Sequence, residues 1–259
     1  PLSAQSKPDC TEIGVAKTVD QTFLKLRTSH YVTRQAADFF LLCIGTLLLV
    51  AAFIGSSMQG DVFFVYFGAE DSPVENATAL LLAVCGVALW WRAFAARKSL
   101  THAALALGLL YGLVYVWAGG EEISWGQRIL GFESPDYFQQ NNDQQEFTFH
   151  NLVIGDVKLD ELIFGPVLSY VILAYLIVLP LLWPRAAWVQ RLVRTMFIPV
   201  PRRYHAAFAF AVTVIIPFLD ESRRWEVYEC IFALLSLAIF LHPANLLTGT
   251  TTRQNPASG

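Results

Sequence analysis

Long uncharged apolar runs recur along this chain, and they constrain its fold more than any other feature. Several of them reach 18 residues or more, such as "FFLLCIGTLLLVAAFIG" with its flanking residues and "LTHAALALGLLYGLVYVWAG". A helix of that length crosses a hydrocarbon core of roughly 30 Å. The chain is 55% hydrophobic and 15% charged, whereas a soluble domain carries about 25% charged residues. The runs therefore predict an all-α fold, a polytopic membrane helix bundle.

The pattern predicts six transmembrane helices that together form one domain. The expected spans are 37–58, 74–96, 99–119, 161–183, 204–219 and 227–246. A polar tail, 1–36, precedes this transmembrane domain at 37–246, and a second tail follows at 247–259. A long loop at 120–160 joins the third and fourth spans. Span five is short and ends at Pro217, a residue that interrupts helices.

The distribution of basic residues predicts the orientation of the bundle. Fourteen of the 18 Lys and Arg residues fall in the two tails, in the turn between spans two and three, and in the loop between spans four and five. Such segments stay on the cytoplasmic side. Both termini are therefore expected in the cytoplasm, and the expected location is a bacterial inner membrane. We call the opposite side the outer face.

Acidic residues are concentrated on that outer face, where 17 of the 21 Asp and Glu residues are expected. Acidic residues contribute little to membrane topology, so the positive-inside rule does not explain this segregation. The outer face is therefore expected to attract cations and to repel anions, and a nucleic acid is excluded as a partner.

The stretch "GGEEISWGQR", 119–128, lies where the third span reaches the outer face. On a continuous helix, Glu121, Trp125 and Arg128 would share one stripe, and Glu122 would point about 100° away. Gly131 is a suitable residue to end that helix. A Glu–Arg pair on this stripe either fixes the loop or holds a carboxylate or phosphate of a substrate.

Two further segments of the outer face carry candidate functional side chains. Glu146 and His150 would share a face if the loop is helical there, as metal ligands or as a base and its partner. The alternative is a polar surface loop. In "DESRRWEVYEC", 220–230, Asp220 and Arg224 are an i,i+4 pair, and Glu229 lies deep enough in the last span to need a partner.

Two acids near these segments have structural explanations. Glu226 lies in the first turn of the last span, where an acid is favourable against the helix dipole. "SPVE", 72–75, is typical of a capping box with Pro at the first helical position.

These groups predict one pocket at the outer face. Its expected catalytic residues are Glu121, Glu122, His150 and Glu229. Its expected substrate-binding residues are Arg128, Trp125, Asp220 and Arg224. Mixed sets of acids, arginines and a histidine are common at functional sites, although buried ion-pair networks have the same composition.

Three functions are compatible with this pocket. The favoured hypothesis is an enzyme that acts on a lipid or lipid-linked substrate by acid/base or metal-assisted chemistry, with a divalent metal of unknown identity. The alternative is an accessory subunit that docks on a membrane-protein partner through the acidic loop. A cation or proton carrier is the weakest hypothesis. It predicts acids near the middle of the spans, and the sequence has none there. His102, His205 and His242, near the cytoplasmic ends of spans, are weak candidates for haem ligands.

The string "GGEEISWGQRILGFESPD", with the later "HN" and the acidic start of the last span, resembles a group of bacterial multi-pass membrane proteins that share a GEEISWGQRI-type motif. Their function is not established, so the resemblance implies a fold and no activity. A looser similarity is to CAAX-protease-like intramembrane glutamate proteases. Arg128, "FTFH" and "HPAN" differ in spacing from that family's motifs, so we do not adopt it.

Overall fold

The computed structural model describes residues 10–245, without the side chains of 10–32 and 164–166. This part of the chain is mostly helical, with one small hairpin. Its α-helices are α1 Cys10–Ser57, α2 Pro73–Ala96, α3 His102–Glu122, α4 Gln127–Leu130, α5 Asp136–Asn141, α6 Leu168–Leu173, α7 Leu179–Leu182, α8 Ala187–Thr195, α9 Arg203–Ile215 and α10 Arg224–Leu241. Its strands are β1 Val153–Ile154 and β2 Val157–Lys158, which pair antiparallel.

Short π- and 3₁₀-helices connect or extend several of these elements. The π-helices are Phe64–Gly68, Asp160–Val167 and Ala174–Val178. The 3₁₀-helices are Arg97–Ser99, Ser124–Gly126 and Ile216–Phe218. The segments from Asp160 to Leu182, the end of α7, form one continuous apolar helix.

Four helices of the described chain are long and apolar enough to cross a membrane. They are Thr33–Ser57, Phe64–Ser99, His102–Glu122 and Asp160–Leu182. They lie at the first four predicted spans, and the second begins earlier than predicted because the π-helix precedes α2. The protein is therefore a helical protein with several apolar helices suited to a membrane.

The last two predicted spans are helical but differ from the first four. The apolar helix Arg203–Phe218 is short. Helix α10 begins with the charged residues Arg224, Glu226 and Glu229 and ends at Leu241, before the predicted limit of 246. Six crossings, with both termini on the cytoplasmic side, stay a prediction.

The first helix is longer than its apolar run. Helix α1 begins at Cys10, so most of the predicted polar tail is helical backbone. Residues 1–9 and the predicted second tail, 247–259, lie outside the described residues.

Helix α10 is the centre of the bundle. Its side chains Val227, Ile231, Leu235 and Ile239 are completely buried. It packs against α1, α2 and α9, and a helix that is apolar on all sides belongs in such an interior. Because α10 is central, the acids at its beginning lie among the outer ends of neighbouring helices.

Helices α2 and α3 form a close antiparallel pair around the predicted turn between spans two and three, which is the 3₁₀-helix Arg97–Ser99. A Cβ atom on Gly86 would lie 2.6 Å from the carbonyl oxygen of Gly112, and one on Gly119 would lie 2.7 Å from that of Ala79. Small residues allow this backbone approach between membrane helices. The approach brings the end of α3 beside the start of α2, at Glu75.

Candidate functional site at the outer face

The backbone changes from right-handed to left-handed conformation where the chain leaves α3. Ser124, Trp125 and Gly126 all have positive φ, with Trp125 at φ 54° and ψ 27°. The expected continuous helix through Arg128 is therefore wrong. Left-handed residues change the direction of the chain, so the spacing of 121, 125 and 128 no longer places them on one stripe. Gly131 ends α4 in a left-handed conformation, as predicted.

Glu121 is a buried anchor for the loop that returns to α3. Its Oε1 accepts a hydrogen bond from Trp125 Nε1 at 2.8 Å. Its Oε2 accepts from the backbone N–H groups of Phe149 at 2.6 Å and His150 at 3.1 Å. The same oxygen lies 3.3 Å from His150 Nδ1. Two expected site residues, Trp125 and His150, thus converge on Glu121.

The predicted pairing of Glu146 with His150 is wrong. The segment between them consists of bends and turns, so it has no helical face. Glu146 instead accepts hydrogen bonds from Ser124 Oγ and Arg128. A carboxylate four residues before a histidine predicts a shared face only on a helix.

Arg128 is the cation that holds together the acids of three segments. Besides Glu146, its Nε lies 2.7 Å from Asp71 Oδ2, and other nitrogens lie 3.7 Å from Glu70 and 4.0 Å from Glu75. Burial alone would lower the pKa of Arg128, but Glu146 first and Asp71 next outweigh it, so the pKa lies above its usual range. The expected partner, Glu121, is not among these acids.

Three carboxylates from α3 and α10 meet at one point. Ligand oxygens of Glu122, Glu226 and Glu229 lie within 4.8 Å of one another. Glu122 and Glu226 are half-buried and Glu229 is exposed. We call this set the triad of carboxylates. The sequence predicted Glu122 and Glu229 for one pocket, but it treated Glu226 only as a dipole acid.

The triad of carboxylates has few compensating groups. In the described part of the chain, Glu122 and Glu229 have no hydrogen-bond or ion-pair partner, while Glu226 lies 3.1 Å from Arg223. Close like charges are unfavourable unless a proton or a cation is shared. Carboxylate oxygens are the ligands that Mg²⁺, Ca²⁺ and Mn²⁺ prefer, so this donor set fits a hard divalent cation.

Arg223, rather than Arg224, is the arginine that contacts the triad of carboxylates. Its guanidinium lies 2.8 Å from Glu70, and its Nε donates to the carbonyl oxygen of Gly68 at 2.9 Å. Burial acts to lower the pKa of Arg223, but Glu226 and Glu70 more than compensate and raise it. The i,i+3 spacing of Arg223 and Glu226 was the sequence signal for this pair.

The predicted pair of Asp220 and Arg224 is wrong. Asp220 is exposed, and no ion pair joins it to Arg224 in the described chain. Arg224 donates to the carbonyl oxygens of Leu219 and Glu221, both at 3.3 Å, and stacks on Trp225 at 5.3 Å. Asp220 lies before α10 and Arg224 is the first residue of that helix, so the two residues do not share a helical face.

The cap at the start of α2 also contributes to the outer face. Ser72 Oγ accepts from the Glu75 N–H at 3.2 Å, and Pro73 is the first helical residue, as predicted. The Glu75 carboxylate accepts from the N–H of Asp71 and faces Arg128. Glu75 therefore caps a helix and belongs to the acidic cluster, a second role that the sequence analysis missed.

The histidines at the other end of the bundle belong to a different network. The carboxylate of Asp38 is fully buried, and its Oδ2 lies 2.8 Å from His242 Nδ1 and 3.7 Å from His205 Nε2. Tyr204 donates its hydroxyl hydrogen bond to the same oxygen, whereas His102 is exposed. Two of the three histidines thus share a carboxylate, and this geometry gives the haem interpretation no support.

Comparisons with profiles of known protein families, with curated proteins and with solved structures found no significant match to this chain. The resemblance to proteins with a GEEISWGQRI-type motif therefore stays a prediction.

Proposed function

We propose that this protein is a membrane-embedded enzyme that uses a divalent cation at the triad of carboxylates to act on a lipid or lipid-linked substrate at the outer face. The observation that carries the proposal is the convergence of Glu122, Glu226 and Glu229 within 4.8 Å. We also retain the bacterial inner membrane as its location.

The charge of the triad of carboxylates favours a cation as its ligand. Among the described residues, only Arg223 pairs with it, through Glu226, so the close carboxylates of Glu122 and Glu229 lack a compensating cation. A divalent ion would neutralise that charge and would polarise a phosphoryl or carbonyl oxygen of the substrate. The hard oxygen donors favour Mg²⁺, Mn²⁺ or Ca²⁺ over Zn²⁺.

The neighbouring dyad of Glu121 and His150 is suited to moving a proton. Glu121 orients the imidazole through Nδ1, as a carboxylate does in catalytic dyads. His150 is close enough to Glu226 to interact with it electrostatically. We assign His150 the role of acid or base and Glu121 the role of a positioning residue.

The arginines supply the positive charge that an anionic headgroup needs. Arg223 lies beside Glu226, and Arg128 lies among Asp71, Glu75 and Glu146. A guanidinium binds phosphate in a planar, bidentate manner. Both arginines already balance acids, so the substrate would share them rather than replace their partners.

Binding of Mn²⁺ to the purified protein, followed by electron paramagnetic resonance, tests the proposal. We expect one bound ion, and a loss of affinity of about tenfold or more in Glu122→Gln and in Glu229→Gln, since each removes a charged ligand. Glu133→Gln is the matched control, because Glu133 is an exposed acid of the same loop. Equal Mn²⁺ affinity in all four proteins would refute the cation site.

The accessory-subunit hypothesis remains the second candidate, and one observation favours it. Ile129, Leu130 and Tyr137 are 71%, 74% and 58% exposed beside Arg128. Exposed apolar side chains at a polar rim are typical of interaction sites. If Ile129→Ser with Leu130→Ser removes a stoichiometric partner from gently extracted membranes while Mn²⁺ binding is absent, docking replaces catalysis as the explanation.

A further inference from the structure

An apolar groove runs along the bundle between α1 and α2. Both helices pack against α10, which forms the floor of the groove with Cys230 and Leu234. Ile44 and Leu48 line one wall, and Leu81 lies on the other. The cavity has a volume of about 620 Å³, within the range of roughly 300–1,000 Å³ typical of small-molecule sites.

The groove opens where a membrane would supply hydrocarbon. Its walls belong to Thr33–Ser57 and Phe64–Ser99, two of the helices long and apolar enough to span a bilayer. Ile54, Met58 and Tyr66 on its edge are more than half exposed. An apolar cleft in this position suits flexible hydrocarbon better than water.

One end of the groove is lined by residues that adjoin the candidate site in the chain. Val74 lines the groove and Glu75 follows it in the chain, while Cys230 lines the floor directly after Glu229. The π-helix Phe64–Gly68 contributes Tyr66 and Phe67 to the lining. Its last residue, Gly68, accepts the hydrogen bond from Arg223. A chain in the groove would therefore place its polar end at an arginine and the triad of carboxylates.

We propose that this groove binds one acyl chain of a phospholipid and presents the phosphate of that lipid to Arg223 and to a cation at the triad of carboxylates. The presentation of the phosphate rests on the proposed function, whereas the binding of the chain does not. The occupant is a lipid chain because the lining is apolar, the walls are helices suited to a membrane, and residues next to the lining in the chain carry or contact the charges that a phosphate or its cation binds.

Photo-crosslinking tests the groove. The full chain is reconstituted into phosphatidylethanolamine vesicles that contain phosphatidylglycerol with a diazirine at the end of one acyl chain. After illumination, mass spectrometry locates the labelled residues. We expect labelling concentrated on the groove, at 44–58, 73–81 and 230–234. Labelling that is no stronger there than on the outward faces of α2 and α3 would overturn the proposal.

Blocking variants make the test specific. Ala77→Trp and Ala51→Trp introduce a large ring from opposite walls of the groove, and each should remove most of the labelling at Cys230 and Leu234. Leu80→Trp is the matched control on α2, because Leu80 is 67% exposed and does not line the groove. Undiminished labelling in both blocking variants contradicts the proposal, as does a crosslinked dimer in place of labelled lipid.

The same experiment separates this inference from the proposed function. Glu229→Gln should bind Mn²⁺ about tenfold or more weakly and keep acyl-chain labelling of the groove. Labelling without Mn²⁺ binding in the natural protein would support the groove and refute the cation site. Mn²⁺ binding without groove labelling would refute the groove and leave the cation site supported.

Discussion

Glu121 and Glu122 are neighbours in the chain, yet their carboxylates have different surroundings. Glu121 is buried and accepts hydrogen bonds from Trp125, Phe149 and His150. Glu122 has no such donor in the described chain and faces two acids of α10. At the scale of a residue, the first carboxylate therefore holds the loop in place, and the second is available to a ligand.

The same substitution at these two positions should have different effects on stability. In Glu121→Gln, the amide NH₂ must face either Trp125 Nε1 or the N–H groups of Phe149 and His150, because each oxygen accepts from one of these sets. A buried donor is then unsatisfied, and we expect a loss of about 2 kcal/mol or more. Glu122→Gln removes a like charge and should be neutral or stabilising.

Thermal unfolding of both variants in one detergent measures this difference. Glu122→Gln serves as the matched control for Glu121→Gln, because the chemical change is identical. Equal melting temperatures for the two variants would show that the hydrogen bonds of Glu121 do not stabilise the loop.

At the scale of an element, the outer face depends on how closely α2 and α3 approach. Gly86 and Gly112 permit backbone contact between the helices, and Trp90 donates to the carbonyl oxygen of Leu109 across the pair at 2.9 Å. The paired helices then bring Glu75 and Glu122 to the same end of the bundle. These glycines carry the contact between the two helices.

Replacing Gly112 with alanine should separate the pair. The added Cβ would lie 2.3 Å from the Trp90 ring and 2.8 Å from the Gly86 carbonyl oxygen. Overpacking of this kind costs about 1–3 kcal/mol. Gly45→Ala is the matched control, since its Cβ would lie 3.2 Å from the tip of the Phe208 side chain. Thermal unfolding should show a lower melting temperature for Gly112→Ala alone, and similar losses in both variants would contradict the prediction.

At the scale of the whole molecule, polar groups collect at the two ends of a central apolar helix. Helix α10 carries Glu226 and Glu229 at its start, and His242, which follows its last residue, contacts Asp38. Its middle is buried in apolar contacts with α1, α2 and α9. This arrangement agrees with a bundle that crosses a membrane, and it gives the orientation prediction a direct test.

Labelling of single cysteines tests that orientation. In a background with the natural cysteines replaced by alanine, Glu133→Cys should react with a membrane-impermeant maleimide in intact cells. Arg191→Cys should react only after the membrane is opened, because basic loops stay in the cytoplasm. Both residues are exposed, so access does not limit the reaction. Labelling of Arg191→Cys from outside would show that the orientation is the reverse of the predicted one.

Sequence alone was sufficient for properties that depend on short stretches of chain. The apolar runs predicted helices at all six positions, because the length of an apolar segment is a local property. The cap at Ser72 and the left-handed end at Gly131 were likewise confirmed, since each depends on a few neighbouring residues. The acidic character of 120–160 also follows directly from composition.

Tertiary structure decided which of these groups meet. The left-handed residues 124–126 redirect the chain, so Arg128 pairs with Asp71 and Glu146 rather than with Glu121. Glu226 joins Glu122 only because α10 is central and α3 ends beside it. Spacing along a helix gives angles within that helix, whereas contacts between helices depend on packing over the whole bundle. The sequence by itself therefore determined the apolar helices and the acidity of the loop at 120–160, and the packing of α10 against its neighbours decided the site.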